Sequence, residues 1–179
     1  MTLVLLIGGA RSGKSRLAVA FGERHAGEVV LLATATAGDE EMAARIAAHR
    51  TERPKSWTTI EEPLALVEAI AGVAPSACLL VDCLSLWVAN LLETTGAQEV
   101  ERAALAAAAT AAARPGPTIA VTNEVGLGIV PVAALARAYR DVLGRVNAIW
   151  AERASAAHLV VAGRILPLQP AAVALGDER

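Results

Sequence analysis

The feature that most constrains this 179-residue chain is a glycine-rich stretch near its beginning. Its eight residues are Gly8, Gly9, Ala10, Arg11, Ser12, Gly13, Lys14 and Ser15. They match the pattern G-x-x-x-x-G-K-[ST] at every fixed position, with the apolar run 2–7 before them and a segment of helical character, 14–25, after them. A loop between a strand and a helix N-terminus turns backbone N–H groups towards phosphate oxygens. We therefore expect a bound nucleoside triphosphate, with Lys14 at the β- and γ-phosphates and the Ser15 hydroxyl on Mg²⁺.

Short apolar runs alternate with helical patterns along the rest of the chain. The sequence predicts buried strands over 2–7, 29–33, 77–82, 118–121 and 158–162. It predicts helices over 14–25, 39–53, 63–71, 84–92 and 99–113, and a further one within 131–154, where Val132, Leu135, Tyr139, Val142, Val146 and Ile149 share a face. This alternation favours an α/β fold, with a mostly parallel central sheet covered by helices on both faces. The length suits a single domain over residues 1–179.

Composition narrows the class of protein. Hydrophobic residues make up 55% and charged residues 19%, which excludes a disordered chain. The net charge of −2 and the lack of a basic patch with interleaved aromatics argue against nucleic acid as a partner. Cys78 and Cys83 do not form a metal or disulfide pattern, so we expect two reduced thiols. Residues 1–7 lack the basic leader of a signal peptide and no stretch is long and apolar enough to span a membrane, so we expect a cytoplasmic enzyme.

An acidic residue ends one of the predicted strands. Asp82 directly follows the apolar residues 79–81. A carboxylate at that position can hold Mg²⁺ through water in proteins with a phosphate loop. The alternative is a carboxylate that only caps the next helix or closes the strand.

A histidine lies among arginines in the predicted helix 39–53. Arg45, His49 and Arg53 are spaced four apart, so they share one helix face, and Arg50 is adjacent. Nearby positive charge favours the neutral imidazole, whose lone pair can attack phosphorus while guanidinium groups hold the phosphate. A solvated helix face that happens to carry a histidine is the alternative.

The sequence resembles the bifunctional adenosylcobinamide kinase/adenosylcobinamide-phosphate guanylyltransferases of cobalamin biosynthesis. The likeness runs from residue 2 to about 168. The matching stretches are 6–16 (LIGGARSGKSR), 33–34, 39–50 (DEEMAARIAAHR), 53–57 (RPKSW), 80–87 (LVDCLSLW), 90–92, 121–131 (VTNEVGLGIVP) and 140–147 (RDVLGRVN). The phosphate loop is shared with many families, whereas EMAARI-x-x-HR and NEVG-x-G-x-VP are much more specific.

The resemblance implies a RecA-like P-loop fold, a homotrimer and two reactions. The first transfers a phosphoryl group from ATP or GTP to adenosylcobinamide, and the second transfers GMP from GTP to adenosylcobinamide phosphate through a covalent histidine–GMP. The histidine of the family's HR pair corresponds to His49. Besides the phosphate loop, the implied nucleotide site comprises Ala33, Thr34, Ala35, Arg50, Thr51, Glu52, Arg53, Glu61 and Asp82.

Two simpler functions fit part of the pattern. A kinase for a small metabolite would use the loop and Asp82 but leave His49 without a role. A guanine-nucleotide switch protein would need an N-K-x-D motif, which residues 122–125 do not supply. Glu124 follows a predicted strand, where it would act as a base, bind a substrate hydroxyl, or pair with a helix N-terminus.

Overall fold

A seven-stranded sheet forms the centre of the structure, a computed structural model that describes residues 3–38, 40, 43, 44, 47 and 54–170. The strand order is β3-β2-β4-β5-β1-β6-β7. The strands are β1 (Leu3–Gly8), β2 (Val29–Ala33), β3 (Thr58–Glu61), β4 (Cys78–Asp82), β5 (Thr118–Asn123), β6 (Ala156–Val161) and β7 (Arg164–Leu168). Neighbouring strands are parallel except for β7, which runs antiparallel to β6.

Helices cover both faces of the sheet. They are α1 (Lys14–Gly22), α2 (Leu66–Gly72), α3 (Leu84–Thr94), α4 (Ala97–Ala112) and α5 (Ala134–Arg153). Successive side chains of β1 point to opposite faces, because a strand has a period of two. Its Leu3, Leu5 and Ile7 join the core beneath α2–α5, whereas Val4 and Leu6 pack with Ala18 of α1.

Small side chains let α4 pack closely on its neighbours. Ala104, Ala107, Ala108 and Ala111 are fully buried in the same core as Trp150 of α5. With few aromatic residues available, alanine contacts and the two fully buried tryptophans, Trp87 and Trp150, fill this layer.

The predicted fold class and the five predicted strands are confirmed, with bounds that shift by one or two residues. The sequence did not predict β3 and β7, because both are short, largely exposed strands without a buried apolar run. Proline interrupts β7 at position 167, which an edge strand tolerates. The prediction of a helix over 39–53 falls mostly outside the described residues.

The predicted apolar face of the last helix is only partly correct. Val142 and Val146 are buried, and Tyr139 and Ile149 are partly buried. Val132 and Leu135 are exposed instead, since α5 begins at Ala134 and its first turn lies beyond the core.

The cysteines and the helix lengths agree with the sequence-based expectations. Cys78 and Cys83 are both free thiols, as expected. Within the described ranges, no helix has both the length and the apolar character needed to cross a bilayer.

Candidate nucleotide site

The carboxyl ends of the six parallel strands, β1 to β6, lie at one edge of the sheet. There Ala33 lies opposite both Glu61 and Asp82 in the strand register, and Gly8 lies opposite Asn123. The glycine-rich loop leaves β1 at this edge. Ligands of open parallel sheets bind at such an edge, so the topology brings the predicted site residues on β1, β2, β3 and β4 to the same place.

Backbone geometry explains two glycines of the loop. Gly13 precedes α1 with φ +100°, a conformation that costs little only without a Cβ. Gly8 lies so close to β6 that an added Cβ would stand 2.3 Å from the Val160 carbonyl oxygen. Gly9, Ala10 and Arg11 are exposed on the outside of the loop.

The ammonium group of Lys14 lies inside the loop. Lys14 is buried, and its Nζ donates to the carbonyl oxygens of Gly8 (2.9 Å) and Gly9 (2.7 Å) and to Ser12 Oγ (3.3 Å). Burial lowers the pKa of Lys14, while the Cys83 thiol group and the Asp82 carboxylate oppose that shift. Because all three hydrogen-bond acceptors are neutral, a phosphate oxygen would be a stronger partner for this cation.

Ser15 and Asp82 come together across the loop. Ser15 Oγ donates to Asp82 Oδ1 at 3.4 Å. Asp82 is the last residue of β4, and the N-cap position of α3 belongs to Cys83, so Asp82 does not cap that helix. A hydroxyl and a carboxylate oxygen are the kind of ligands that Mg²⁺ takes alongside phosphates and water, so this pair fits that ion.

Thr34 joins the segment after β2 to the segment after β4. Its Oγ1 accepts from the Cys83 N–H at 3.0 Å and donates to the Cys83 carbonyl at 2.7 Å, and its own N–H donates to the Asp82 carbonyl. Asn90 Nδ2 of α3 donates to the Thr34 carbonyl at 2.8 Å. Thr34 is fully buried, so its side chain fixes the main chain next to Asp82, whereas Ala33 and Ala35 are half-buried beside it.

The end of β5 lies against the phosphate loop. The Glu124 N–H donates to the Gly8 carbonyl at 3.0 Å, the same oxygen that accepts from Lys14. The Glu124 carboxylate accepts from the N–H of Gly126, in the loop that follows, and not from a helix N-terminus. Glu124 is half-buried at this edge.

A buried polar network that sequence reasoning missed supports this strand end. Thr122 Oγ1 donates to Asn147 Oδ1 at 2.7 Å, Asn147 Nδ2 donates to the Asn123 carbonyl, and Asn123 Nδ2 donates to Ser85 Oγ. In the sequence, this network is marked only by the polar residues that end the apolar run of β5. The network connects α5, β5 and α3, and so fixes the backbone from which Glu124 extends.

The remaining predicted site residues divide into two groups. Glu61 is exposed at the end of β3, on the same edge as Asp82. His49 and the residues after it, Arg50, Thr51, Glu52 and Arg53, lie outside the described residues.

The turn between β6 and β7 touches the phosphate loop, a contact that the sequence did not suggest. The Gly163 N–H donates to the Ser12 carbonyl at 2.8 Å, and a Cβ on Gly13 would stand 3.3 Å from the Gly163 Cα. Ala162 and Gly163 both have positive φ, as two-residue hairpin turns of type I′ require. In the sequence, this turn is marked only by a glycine between two apolar runs.

Replacing Gly163 with alanine should weaken this contact. A side chain at φ +73° costs about 1–2 kcal/mol, and the methyl would lie 3.2 Å from Arg16 Nη2. We expect the free energy of unfolding to fall by about that amount and the dissociation constant for GTP to rise. Denaturant titration measures the free energy of unfolding, and calorimetry measures the dissociation constant for GTP.

Gly144→Ala is the matched control, because this exposed glycine lies inside α5 and no atom beyond its own helical turns is within 4 Å of an added methyl. It should stabilise by about 0.5–1 kcal/mol and leave GTP affinity unchanged. Equal stability and affinity in the Gly163 variant would show that the turn does not hold the loop.

The phosphate loop at the carboxyl edge of a parallel sheet defines a P-loop nucleotide-binding fold. Two solved structures with low sequence identity share this fold. A KaiC-like protein from Pyrococcus horikoshii superposes with TM-score 0.51 at 15% identity, over 88% of this chain and 70% of that one. An ATPase of a bacterial type III secretion system superposes with TM-score 0.54 at 12% identity, over 98% of this chain and 53% of that one.

Residues 4–168 match the family model described as cobinamide kinase/cobinamide phosphate guanyltransferase. The bifunctional adenosylcobalamin biosynthesis protein CobP of Pseudomonas aeruginosa is 45% identical over 92% of this chain and 96% of its own length. The corresponding protein CobU of Escherichia coli is 42% identical over 90% and 96%. The chain belongs to this family, which confirms the resemblance and makes it an enzyme of the transferase class.

Proposed function

We propose that this enzyme phosphorylates adenosylcobinamide with ATP or GTP and then transfers GMP from GTP to the product, giving adenosylcobinamide-GDP and pyrophosphate. One observation carries the proposal. In a chain of this family, the complete phosphate loop encloses the Lys14 ammonium and lies beside the Ser15–Asp82 pair. The first reaction needs such a site, and the second needs a nucleophile near it.

In the kinase step the hydroxyl oxygen of the aminopropanol group attacks the γ-phosphorus, and the bond to the bridging oxygen of the leaving nucleoside diphosphate breaks. Negative charge develops on the transferring group and on that bridging oxygen. Lys14 donates to these oxygens in place of the Gly8 and Gly9 carbonyls, and the loop N–H groups hold the β-phosphate. Glu124 extends from the strand end next to Lys14, where its carboxylate would accept the hydroxyl proton.

Ser15 and Asp82 would hold Mg²⁺, since both offer oxygen atoms at the loop. When bound, the ion neutralises phosphate charge. Thr34 contributes indirectly, because its hydrogen bonds to residue 83 keep the end of β4 in place.

In the guanylyl transfer, the neutral imidazole of His49 attacks the α-phosphorus of GTP. A phosphorus–nitrogen bond forms and the bond to pyrophosphate breaks. A phosphate oxygen of adenosylcobinamide phosphate then attacks the same phosphorus, which releases His49 and completes two displacements. The family and the arginine-rich pattern around His49 support this role, with Arg50, Thr51, Glu52 and Arg53 contacting the nucleotide.

Further nucleotide contacts are proposed at Ala33, Ala35 and Glu61, on the edge shared with Asp82, whereas the fully buried Thr34 supports this edge through its hydrogen bonds. We also propose a homotrimer. The exposed edge strand β7, with Ile165, Leu166 and Leu168 at its surface, offers a face for another copy. A cytoplasmic location, where ATP and GTP are supplied, completes the proposal.

The test is to incubate the enzyme with Mg²⁺ and GTP labelled at the α-phosphate, without corrinoid. We expect nearly one label per chain on denatured protein, labile in acid and stable in base, as a phosphoramidate is. Adding adenosylcobinamide phosphate should remove it. GTP labelled at the γ-phosphate should leave the protein unlabelled but transfer label to adenosylcobinamide.

The rival functions give different results. A kinase without the second activity would transfer the γ-label and form no adduct. A switch protein would retain GTP without covalent label and without any response to a corrinoid. Either pattern would overturn the proposal.

A further inference from the structure

Eleven consecutive residues after Glu124 carry no polar side chain. This apolar segment, residues 125–135 (VGLGIVPVAAL), should be buried if it served only the fold. Instead its large side chains are exposed, three of them almost completely: Ile129 at 97%, Val132 at 96% and Leu127 at 84%. Single exposed apolar side chains are ordinary, but a continuous exposed group of this kind indicates a binding surface.

The apolar segment begins at the phosphate loop. The Glu124 N–H donates to the Gly8 carbonyl, which also accepts from Lys14 Nζ. Lys14 is the residue that reaches the phosphate to be transferred. The apolar segment therefore starts next to the proposed site of phosphoryl transfer.

Hydrogen bonds hold the backbone of the segment while its side chains stay exposed. Arg140 Nη2 donates to the Gly126 carbonyl at 3.1 Å, and Arg137 Nη1 donates to the Pro131 carbonyl at 3.1 Å and to that of Val132. The Gly126 N–H is bound by the Glu124 carboxylate. Two arginines of α5 thus hold the main chain of the segment near its start and at residues 131–132. A ligand that binds there loses little affinity to ordering of the segment, because the segment is already ordered in the free protein.

We propose that the apolar segment binds the corrin ring of the acceptor substrate, an inference that rests on the proposed function. The ring is a large disc with methyl groups and uncharged carboxamide side chains, and the segment offers apolar side chains without a single charge. Carboxamides can hydrogen-bond to the exposed main chain at residues 127 and 128. The hydroxyl on the same molecule must reach the γ-phosphate. The apolar segment leaves the sheet next to the Gly8 carbonyl, which accepts from Lys14 Nζ.

The test uses the full-length enzyme with Leu127→Ser, Ile129→Ser and Val132→Ser, made singly. Leu105→Ser is the matched control, because this leucine is also exposed (47%) but lies on α4, outside the segment. Calorimetry with adenosylcobinamide gives the affinity, GTP binding and adduct formation report the nucleotide site, and sedimentation velocity reports assembly.

We expect each segment variant to raise the dissociation constant for adenosylcobinamide about tenfold, as loss of a well-packed apolar contact does. GTP affinity, adduct formation and assembly should stay at wild-type values, and the control should change nothing. Wild-type affinity for adenosylcobinamide in all three variants would overturn the assignment.

A second copy of the chain is the competing occupant. The assignment also fails if the variants dissociate and the affinity loss disappears at protein concentrations that restore the wild-type assembly. Failure of the proposed function looks different, because the wild-type enzyme itself would then not modify adenosylcobinamide.

Discussion

Replacing Lys14 with alanine should lower the rate of phosphoryl transfer to adenosylcobinamide by about 10²–10³-fold, the effect typical of losing one preorganised donor to developing charge. No other described side chain donates to both the Gly8 and Gly9 carbonyls, where the loop turns. The variant removes the cation that the loop encloses. Single-turnover transfer of γ-labelled phosphate measures this step directly.

Loss of folding must be separated from loss of chemistry in this experiment. Lys14→Met keeps most of the buried stem and removes only the ammonium, so its melting temperature should stay near that of the wild type. Arg24→Ala is the control for loss of a cation, because Arg24 is exposed beyond the far end of α1. Phosphoryl transfer within threefold of wild type in a folded Lys14→Met enzyme would contradict the role given to this residue.

Replacing His49 with alanine should abolish the GMP adduct completely. The imidazole is the proposed nucleophile, and alanine has no lone pair to attack the α-phosphorus. Phosphoryl transfer to adenosylcobinamide should continue, because Lys14, Ser15 and Asp82 remain. Label retained on denatured protein from α-labelled GTP measures adduct formation, and labelled product from γ-labelled ATP measures phosphoryl transfer.

His25→Ala is the matched histidine control. His25 lies just after α1, and its N–H donates to the Gly22 carbonyl, so it is at the opposite end of that helix from the phosphate loop. It should keep both activities. An equal loss of both activities in the His49 variant would contradict a role of His49 that is confined to guanylyl transfer.

The sequence predicted the parts of the fold that local pattern determines. An apolar run before GGARSGKS predicts a buried strand, and the alternation of runs and helical segments predicts a parallel sheet, so Lys14 and Asp82 were expected at strand ends. Thr34 was expected at the site only because of the family resemblance. Local pattern could not predict β3 or β7, because TTIE and RILPL make exposed strands whose pairing depends on tertiary contacts.

The same limit applied within the site. Gly163 touches Ser12, and Asn147 reaches Asn123, only after distant segments have come together. Helical spacing also assigned Val132 and Leu135 to the core face of α5, although both are exposed. Periodicity records which side chains share a face, but it does not record where the neighbouring layer ends.

The position of β1 between β5 and β6 has a consequence for how the enzyme is made. Leu3 pairs with Thr118 on one side, and Val4 pairs with Ala156 on the other. During synthesis β1 therefore leaves the ribosome long before either neighbour exists, and the phosphate loop acquires its contact with Gly163 only when that residue has been translated. A nascent chain exposes an apolar strand until its partner strands have been made, so the phosphate loop is held in its final surroundings only after translation has passed residue 163.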